Sequence, residues 1–384
     1  MVEAKDAKFP IISYQPLRLF YQLSGALLIL FRLPVWFIQA LIPTFRPHPK
    51  WGFKQTLMAR FTRGVVDLYS KVGITEKHNL KPGKEGDRFQ IVKPFSSDLY
   101  RGPLASNPDV KPGTVGGTWF PRKPNVDKGF DGPVLLQVHG GAFVLGDGRT
   151  ESCGFMAQTL IDKAGAGAVF SPQYRLSGYS SAGAATNPFP AALQDVLTSY
   201  LYLTRALKIP SRQVVLCGDS AGASLVIALL RYLDNFGRDL GLASPSCAVL
   251  IAPWVDPLAS LGPDSVYTKH EKWNTDYLPV SFLRWGARVY SSGVADETLP
   301  YVTPLGNPWK TEVPIFVTMG EAEILETDGS AWSRQMRDAG CRVEVSYEEH
   351  AVHDTLLLGA AIGWEESART VASRIGEFVK QVQE

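Results

Sequence analysis

The chain has 384 residues, of which 45% are hydrophobic, 20% charged and 11% aromatic, a composition that can bury a large core and does not fit a disordered chain. Lys and Arg number 39 against 37 Asp and Glu, a formal charge of +2, and neither a basic arm nor a basic-aromatic motif occurs, which argues against a nucleic-acid partner or a polyanionic substrate. Cys153, Cys217, Cys247 and Cys341 are far apart, and among the histidines only His350 and His353 are closely spaced, so reduced thiols, no metal and no cofactor are expected.

The charge is unevenly spread. Residues 1–63 carry nine Lys/Arg and two acids (9 − 2 = +7), which leaves −5 for residues 64–384. The same end is the most apolar: residues 11–45 read IISYQPLRLFYQLSGALLILFRLPVWFIQALIPTF. Arg32 and Pro34 divide this stretch into Leu23–Phe31 and Leu33–Pro43, each shorter than the roughly 18–20 apolar residues a span needs. Its late start and the lack of a small-residue cleavage site fit a signal peptide poorly. Two readings follow. In one, residues 1–80 form a cap over an apolar pocket, with Trp36, Phe37 and Leu41 facing inward. In the other, the Trp, Phe and Leu side chains lie in a membrane interface, with Arg46, Lys50, Lys54, Arg60 and Arg63 facing anionic headgroups. Reduced cysteines and the absence of an Asn-x-Ser/Thr acceptor point to an intracellular chain, cytoplasmic or at an endomembrane surface.

From about residue 81 onward the pattern predicts an α/β catalytic domain, a mostly parallel sheet flanked by helices. Strands are expected at Phe89–Val92, Gly113–Phe120, Pro133–Val138, Gly167–Pro172, Gln213–Cys217, Ala248–Ala252, Ile315–Met319 and Val343–Tyr347. Leu193, Val196, Tyr200 and Leu203 recur at spacings of three and four, which predicts a helix over Ala191–Leu207; Ala368–Val382 repeats the pattern. The Pro- and Gly-rich stretches 102–133 and 177–190 read as loops.

The chemistry-bearing residues stand at the ends of these strands. Gly218-Asp-Ser-Ala-Gly222 lies between a strand and a helix, where flanking glycines permit a sharp turn that lifts the Ser220 hydroxyl above the sheet. Ser220 is the candidate nucleophile. His139-Gly-Gly-Ala-Phe143 follows the strand Val134–Val138, and its glycines allow backbone N–H groups to approach an oxyanion; Gly140, Gly141 and the amide of Ala221 are the candidate donors. His139 reads as a loop anchor. A serine nucleophile requires a base and an orienting carboxylate later in the chain. The strand at Ile315–Met319 leads to Glu321 and Glu323, and the strand at Val343–Tyr347 leads to His350 and His353, so residue reading alone leaves both acids and both histidines open.

These motifs together resemble the hormone-sensitive-lipase-like family of α/β-hydrolases, over roughly residues 85–384. Tyr174-Arg-Leu176, Pro188-Phe-Pro-Ala-Ala192 and Asp195 match further family segments. The resemblance implies Glu323 as the triad acid, by alignment of a D-P-L-x-D-E-G pattern on Glu323–Gly329, and His353 as the base, by an x-H-G-F pattern on Val352–Thr355. Ala142, Glu323 and Asp354 depart from the family's usual glycine, aspartate and residue after the histidine. It also implies a cap built from the N-terminus and from an insertion at about 255–300, where Trp273, Tyr277, Phe282, Trp285 and Tyr290 lie. Trp273, Tyr277 and Trp285, with Phe143 and Asp219 from the two motifs, are the candidate substrate contacts.

The expected activity is hydrolysis of an apolar carboxylic ester by Ser220, His353 and Glu323 through an acyl-enzyme, with a small hydrophobic molecule as partner and no nucleic acid. The chain's start is also similar to fungal steryl-acetyl-hydrolase-like proteins. Two other outcomes are compatible with the same motifs: a non-hydrolytic cyclase, lyase or condensation catalyst of secondary metabolism, and a ligand-binding relative of the gibberellin-receptor kind, against which His353 argues.

Overall fold

The computed structural model describes residues 10–125, 132–180 and 183–384; Lys5, Lys8, Glu3 and Asp6 of the N-terminal charge balance, and parts of the loops 102–133 and 177–190, lie outside them. The apolar runs Val134–Val138 (β3), Val214–Asp219 (β7), Cys247–Ile251 (β8) and Ile315–Gly320 (β9) are buried along their whole length. Such runs suit only the centre of a sheet covered on both faces, and they pair in parallel there. The sheet extends on one side through Ala168–Gln173 (β4), Val115–Phe120 (β2) and Phe89–Val92 (β1), and on the other ends in Val343–Glu348 (β10). Its order is β1-β2-β4-β3-β7-β8-β9-β10, with β2 antiparallel to both neighbours and every other pairing parallel. All eight strands fall within two residues of the expected positions. A two-stranded ribbon, β5 (Gly178–Tyr179) with β6 (Ala185–Thr186), stands where a loop was expected.

Alternation along the strands divides the core in two. Leu135, Val215, Cys217, Val249 and Phe316 face Thr150–Ala164 (α3), Thr355–Ile362 (α10) and Glu365–Gln383 (α11). Leu136, Val138, Leu216, Leu250 and Val317 face the other layer, which includes Ala191–Leu201 (α4) and Ala221–Leu240 (α5). The four cysteines are free and buried. Between β8 and β9 the chain forms short helical pieces, among them α6 (Ser265–Thr268), α7 (Val280–Tyr290) and α8 (Leu299–Val302), and Glu326–Asp338 (α9) precedes β10.

The N-terminal stretch differs from its expected halves. Leu17–Leu41 (α1) is one 25-residue helix that continues through Pro34, and it lies on Phe53–Val72 (α2). Packing supplies the reason: Gly25 meets Leu68, Ile29 and Trp36 meet Gly64, and Phe37 lies edge-on to Phe53, so tertiary contact holds a helix that Pro34 alone would interrupt. Of the three residues expected to face inward, Trp36 does so, whereas Phe37 and Leu41 remain exposed.

Candidate active site

All the chemistry-bearing residues gather at the carboxyl ends of parallel strands, where the loops of an open α/β sheet meet. Ser220 stands between β7 and α5 with φ 50° and ψ −116°, a conformation that costs about 1–3 kcal/mol and is held by two backbone bonds: its N–H donates to Ile251 O (2.8 Å), and its carbonyl accepts from Trp254 N (3.2 Å). Gly140, at the end of β3, comes so close that a Cβ there would lie 3.0 Å from Ser220 Cβ and 2.3 Å from Asp219 Oδ2. The loop is held in place by Gly140 N–H, which donates to Asp219 Oδ2 (2.7 Å). Ala142 and Phe143 both have positive φ (51° and 65°), which folds the glycine loop tightly. His139 lies flat against Tyr174, whose hydroxyl donates to His139 O (2.8 Å), while its own Nδ1 bonds Gly140 O (2.8 Å). Burial drives its pKa down to about 3, so it stays neutral within the loop.

The two open choices of acid and base sort themselves by depth. His353 and Glu323 are both buried and joined by a 2.7 Å hydrogen bond from Nδ1 to Oε2. Glu321 and His350 also face each other, but at 3.6 Å and near the surface. The two loops can meet because Gly320 carries no side chain: a Cβ there would come within 2.4 Å of Ala351 O. Ala322 N–H donates to Ala351 O (2.9 Å) and Glu321 N–H to Glu348 O (3.0 Å), which clamps the acid loop to the histidine loop.

Burial lowers the His353 pKa, opposed by the charges of Asp276, Asp219 and Glu348, so the imidazole is neutral at neutral pH and its Nε2 is free to take a proton. Burial also pushes the Glu323 carboxyl well above its usual range, with Glu348 adding to the shift; a hydrogen bond from the Gly320 backbone and the Lys272 charge oppose it.

Three further residues enter the site without having been singled out for it. Asp276 accepts from Ile324 N (2.8 Å) and Tyr277 N (2.7 Å), which pins the acid loop beneath the insertion. Asp354 caps α10 through Leu357 N (3.1 Å) and bonds to Asp219. Burial and the Asp219 charge push Asp354 well above the usual carboxylate range, so it keeps its proton and donates it to Asp219, itself raised to about 6 by burial. Elbow, glycine loop and histidine loop are thereby tied through one carboxyl pair. Trp254 supports the elbow by its backbone. Asp354 was visible in the sequence only as a departure from the family pattern; Asp276 left no signal there.

The candidate substrate contacts divide. Tyr277 is buried with its ring edge-on to His353 at 6.0 Å. Phe143 is fully buried and stacked on Tyr290 at 3.7 Å, and Asp219 is engaged with the Gly140 amide. Trp273 and Trp285 line a cavity of about 850 Å³ between α1, α2 and α7, and neither Ser220 nor His353 borders it. No cluster of three or more metal-ligating side chains occurs among the described residues.

A profile described as alpha/beta hydrolase fold matches residues 135–357, more than half of the chain and all of the loops just described. The chain belongs to that family. An acetyl-hydrolase of Streptomyces hygroscopicus is 35% identical over 219 residues, covering 57% of this chain and 66% of its own length, just short of two thirds. An ethyl acetate hydrolase of Pseudomonas putida is 28% identical over 249 residues, covering 63% of this chain and 71% of its own. The crystal structure of an esterase from the bacterial hormone-sensitive lipase family superposes with a TM-score of 0.59 at 22% identity, covering 85% of this chain and 98% of that one. The two relatives are named for ester hydrolysis, and the superposition on the esterase shows that this chain shares its fold.

Proposed function

We propose that this alpha/beta hydrolase cleaves small apolar carboxylic esters through Ser220, His353 and Glu323. The observation that carries the reading is the buried 2.7 Å bond between His353 and Glu323, on the same sheet edge as the strained Ser220 turn. His353 Nε2 takes the proton of the Ser220 hydroxyl as Oγ bonds to the acyl carbon. The amides of Gly141 and Ala221 stabilise the oxyanion of the tetrahedral intermediate; Gly140, expected as a third donor, gives its N–H to Asp219 Oδ2 (2.7 Å) and holds the loop instead. Collapse breaks the ester C–O bond and passes the proton to the leaving alcohol. Water, deprotonated by His353, then attacks the acyl-enzyme, and the carboxylic acid leaves as Ser220 regains its proton. Glu323 orients the imidazole and balances its transient charge.

The names of the Streptomyces and Pseudomonas relatives support an acetyl or similarly short acyl group as the part that Ser220 receives. A p-nitrophenyl ester series from acetate to long chains, with fluorophosphonate labelling, tests this: rates should peak at short chains, and labelling should vanish in Ser220→Ala. Labelling without hydrolysis of any ester would favour the non-hydrolytic reading instead.

Residues 1–80 form the second part of the proposal, a segment that contacts a membrane while it covers the hydrolase. Its support is the exposed apolar helix α1: all exposed large hydrophobic side chains among the described residues lie within residues 11–45 except Val65, Leu80, Ile91, Val266 and Tyr347.

A further inference from the structure

Helix α1 has two unlike sides. Only Ile29 and Ala40 are buried, on the side that packs against α2. The opposite side presents Phe20, Leu23, Leu27, Phe31, Ile38 and Leu41, with no charge among them, and Phe31 is 78% exposed. The only charged residues of α1, Arg18 and Arg32, stand away from this stripe. As one 25-residue helix of mean hydropathy 1.6, α1 is long and apolar enough by length and composition to cross a membrane, unlike the two halves expected; α2 alongside carries Arg60, Arg63, Asp67 and Lys71, which suits the pair to an interface.

Beneath this helix pair is the 850 Å³ cavity bounded by α1, α2 and α7. Six cations line it, Arg32, Arg60, Arg63, Lys71, Arg284 and Arg288, against two acids, Asp67 and Asp264. Both acids are already engaged: Asp67 with Lys71 (2.7 Å) and Ser281 (2.7 Å), Asp264 with Arg284 (2.5 Å). Arg63 donates to the carbonyls of Trp273 and Asp276, but its Nη2 and the Nε of Arg60 are buried without an acceptor. Arg32 and Arg60 have no ion-pair partner among the described residues. The cavity therefore carries cations in excess of the acids that face it, a lining that suits an anion. Its wall also holds Phe31 and Val35, which continue onto the exposed stripe, so a polar head in the cavity would have its apolar tail on the outer face of α1.

We infer that this cavity binds the phosphate headgroup of an anionic phospholipid, with the acyl chains following the exposed face of α1 into the bilayer. Guanidinium groups match phosphate oxygens in geometry as well as charge. Trp36, Trp273 and Trp285 on the cavity wall are side chains that favour the headgroup level. The inference rests on the membrane reading of residues 1–80 and is independent of the ester-hydrolase chemistry, because neither Ser220 nor His353 borders the cavity.

The test is flotation of the full chain with vesicles of phosphatidylcholine alone and of phosphatidylcholine mixed with phosphatidic acid. In parallel, tryptophan fluorescence follows titration with water-soluble dihexanoyl phosphatidic acid or inorganic phosphate. Wild type should prefer the anionic vesicles, and Arg60→Gln should reduce that binding about fivefold. Circular dichroism checks that Arg60→Gln is folded; Arg32→Gln, at the exposed edge of the cavity, replaces it if not. Failure of wild type to float on either vesicle overturns the membrane reading and the inference with it. Flotation that is unchanged in the folded Arg60→Gln variant overturns the headgroup site alone. Equal responses to inorganic phosphate and to the soluble lipid would assign a free-phosphate site and likewise overturn it.

Discussion

Two histidine–glutamate pairs sit on the same two loops of this hydrolase. His353 meets Glu323 at 2.7 Å with both side chains almost wholly buried (4% and 0% exposed); His350 meets Glu321 at 3.6 Å with side chains 38% and 47% exposed. Residue types, loops and order along the chain are the same for both. Water separates them: an exposed ion pair is screened and worth about 0–1 kcal/mol, whereas a buried pair holds its geometry and has its proton affinities set by the protein. His350 instead takes part in a surface contact, its ring tilted against His48 at 4.7 Å and its carbonyl accepting from Trp51 Nε1 (2.7 Å), which fastens the N-terminal segment to the histidine loop.

The comparison can be broken most sharply at the reaction itself. Ser220→Ala and His353→Ala should each lower kcat on p-nitrophenyl acetate by on the order of 10⁴–10⁶, with fluorophosphonate labelling lost in Ser220→Ala. A comparable loss in His350→Ala would transfer the base to the surface pair. Glu323→Gln should lower kcat by roughly 10³–10⁴, while Glu321→Gln stays within about twofold of wild type. Equal losses in the two glutamine variants would remove the distinction between the pairs.

A pH profile gives a smaller effect. Because His353 acts as its neutral form and burial lowers its pKa, kcat/KM should hold from neutral pH downward and fall only as pH drops through a value below the ordinary 6.5 of histidine. Asp276 is the strongest of the charges holding the His353 pKa up, so Asp276→Asn should move the acid limb to still lower pH. A limb that moves to higher pH would show that Asp276 does not act on the imidazole. The smallest effect belongs to Asp354→Asn. Asparagine can cap α10, tolerates the left-handed φ of 49° and can donate to Asp219, so kcat/KM and Tm should change little, whereas Asp354→Ala should lose about 1 kcal/mol of stability with the cap. Thermal unfolding of both variants checks this.

Much of the site was legible from local patterns. The eight strands were read from apolar β-rich runs, and Ser220 and the Gly140–Gly141 loop from glycines at strand ends, because a strained turn and a close backbone approach both demand residues without bulk. The choice between Glu321 and Glu323, and between His350 and His353, was not legible from the residues. Both pairs satisfy the same local grammar, and only the family resemblance favoured the pair that the structure buries. Asp276 could not have been found, since its bond to Ile324 links the insertion to a loop 48 positions later. Residues 11–45 went the other way: Pro34 and Arg32 argued for two halves, and packing against α2 made one helix.

By itself the sequence determined the layered α/β plan, the strand-end positions of the reacting groups and the crowding of apolar and basic residues at the N-terminal end, since these follow from periodicity, backbone sterics and composition. The tertiary structure alone decided which acid and histidine are shielded from water, that Asp354 shares its proton with Asp219, and that Arg32, Arg60 and Arg63 converge on one cavity. Burial and long-range proximity are properties of the packed chain, and it is burial that sets proton affinity and the strength of a charge.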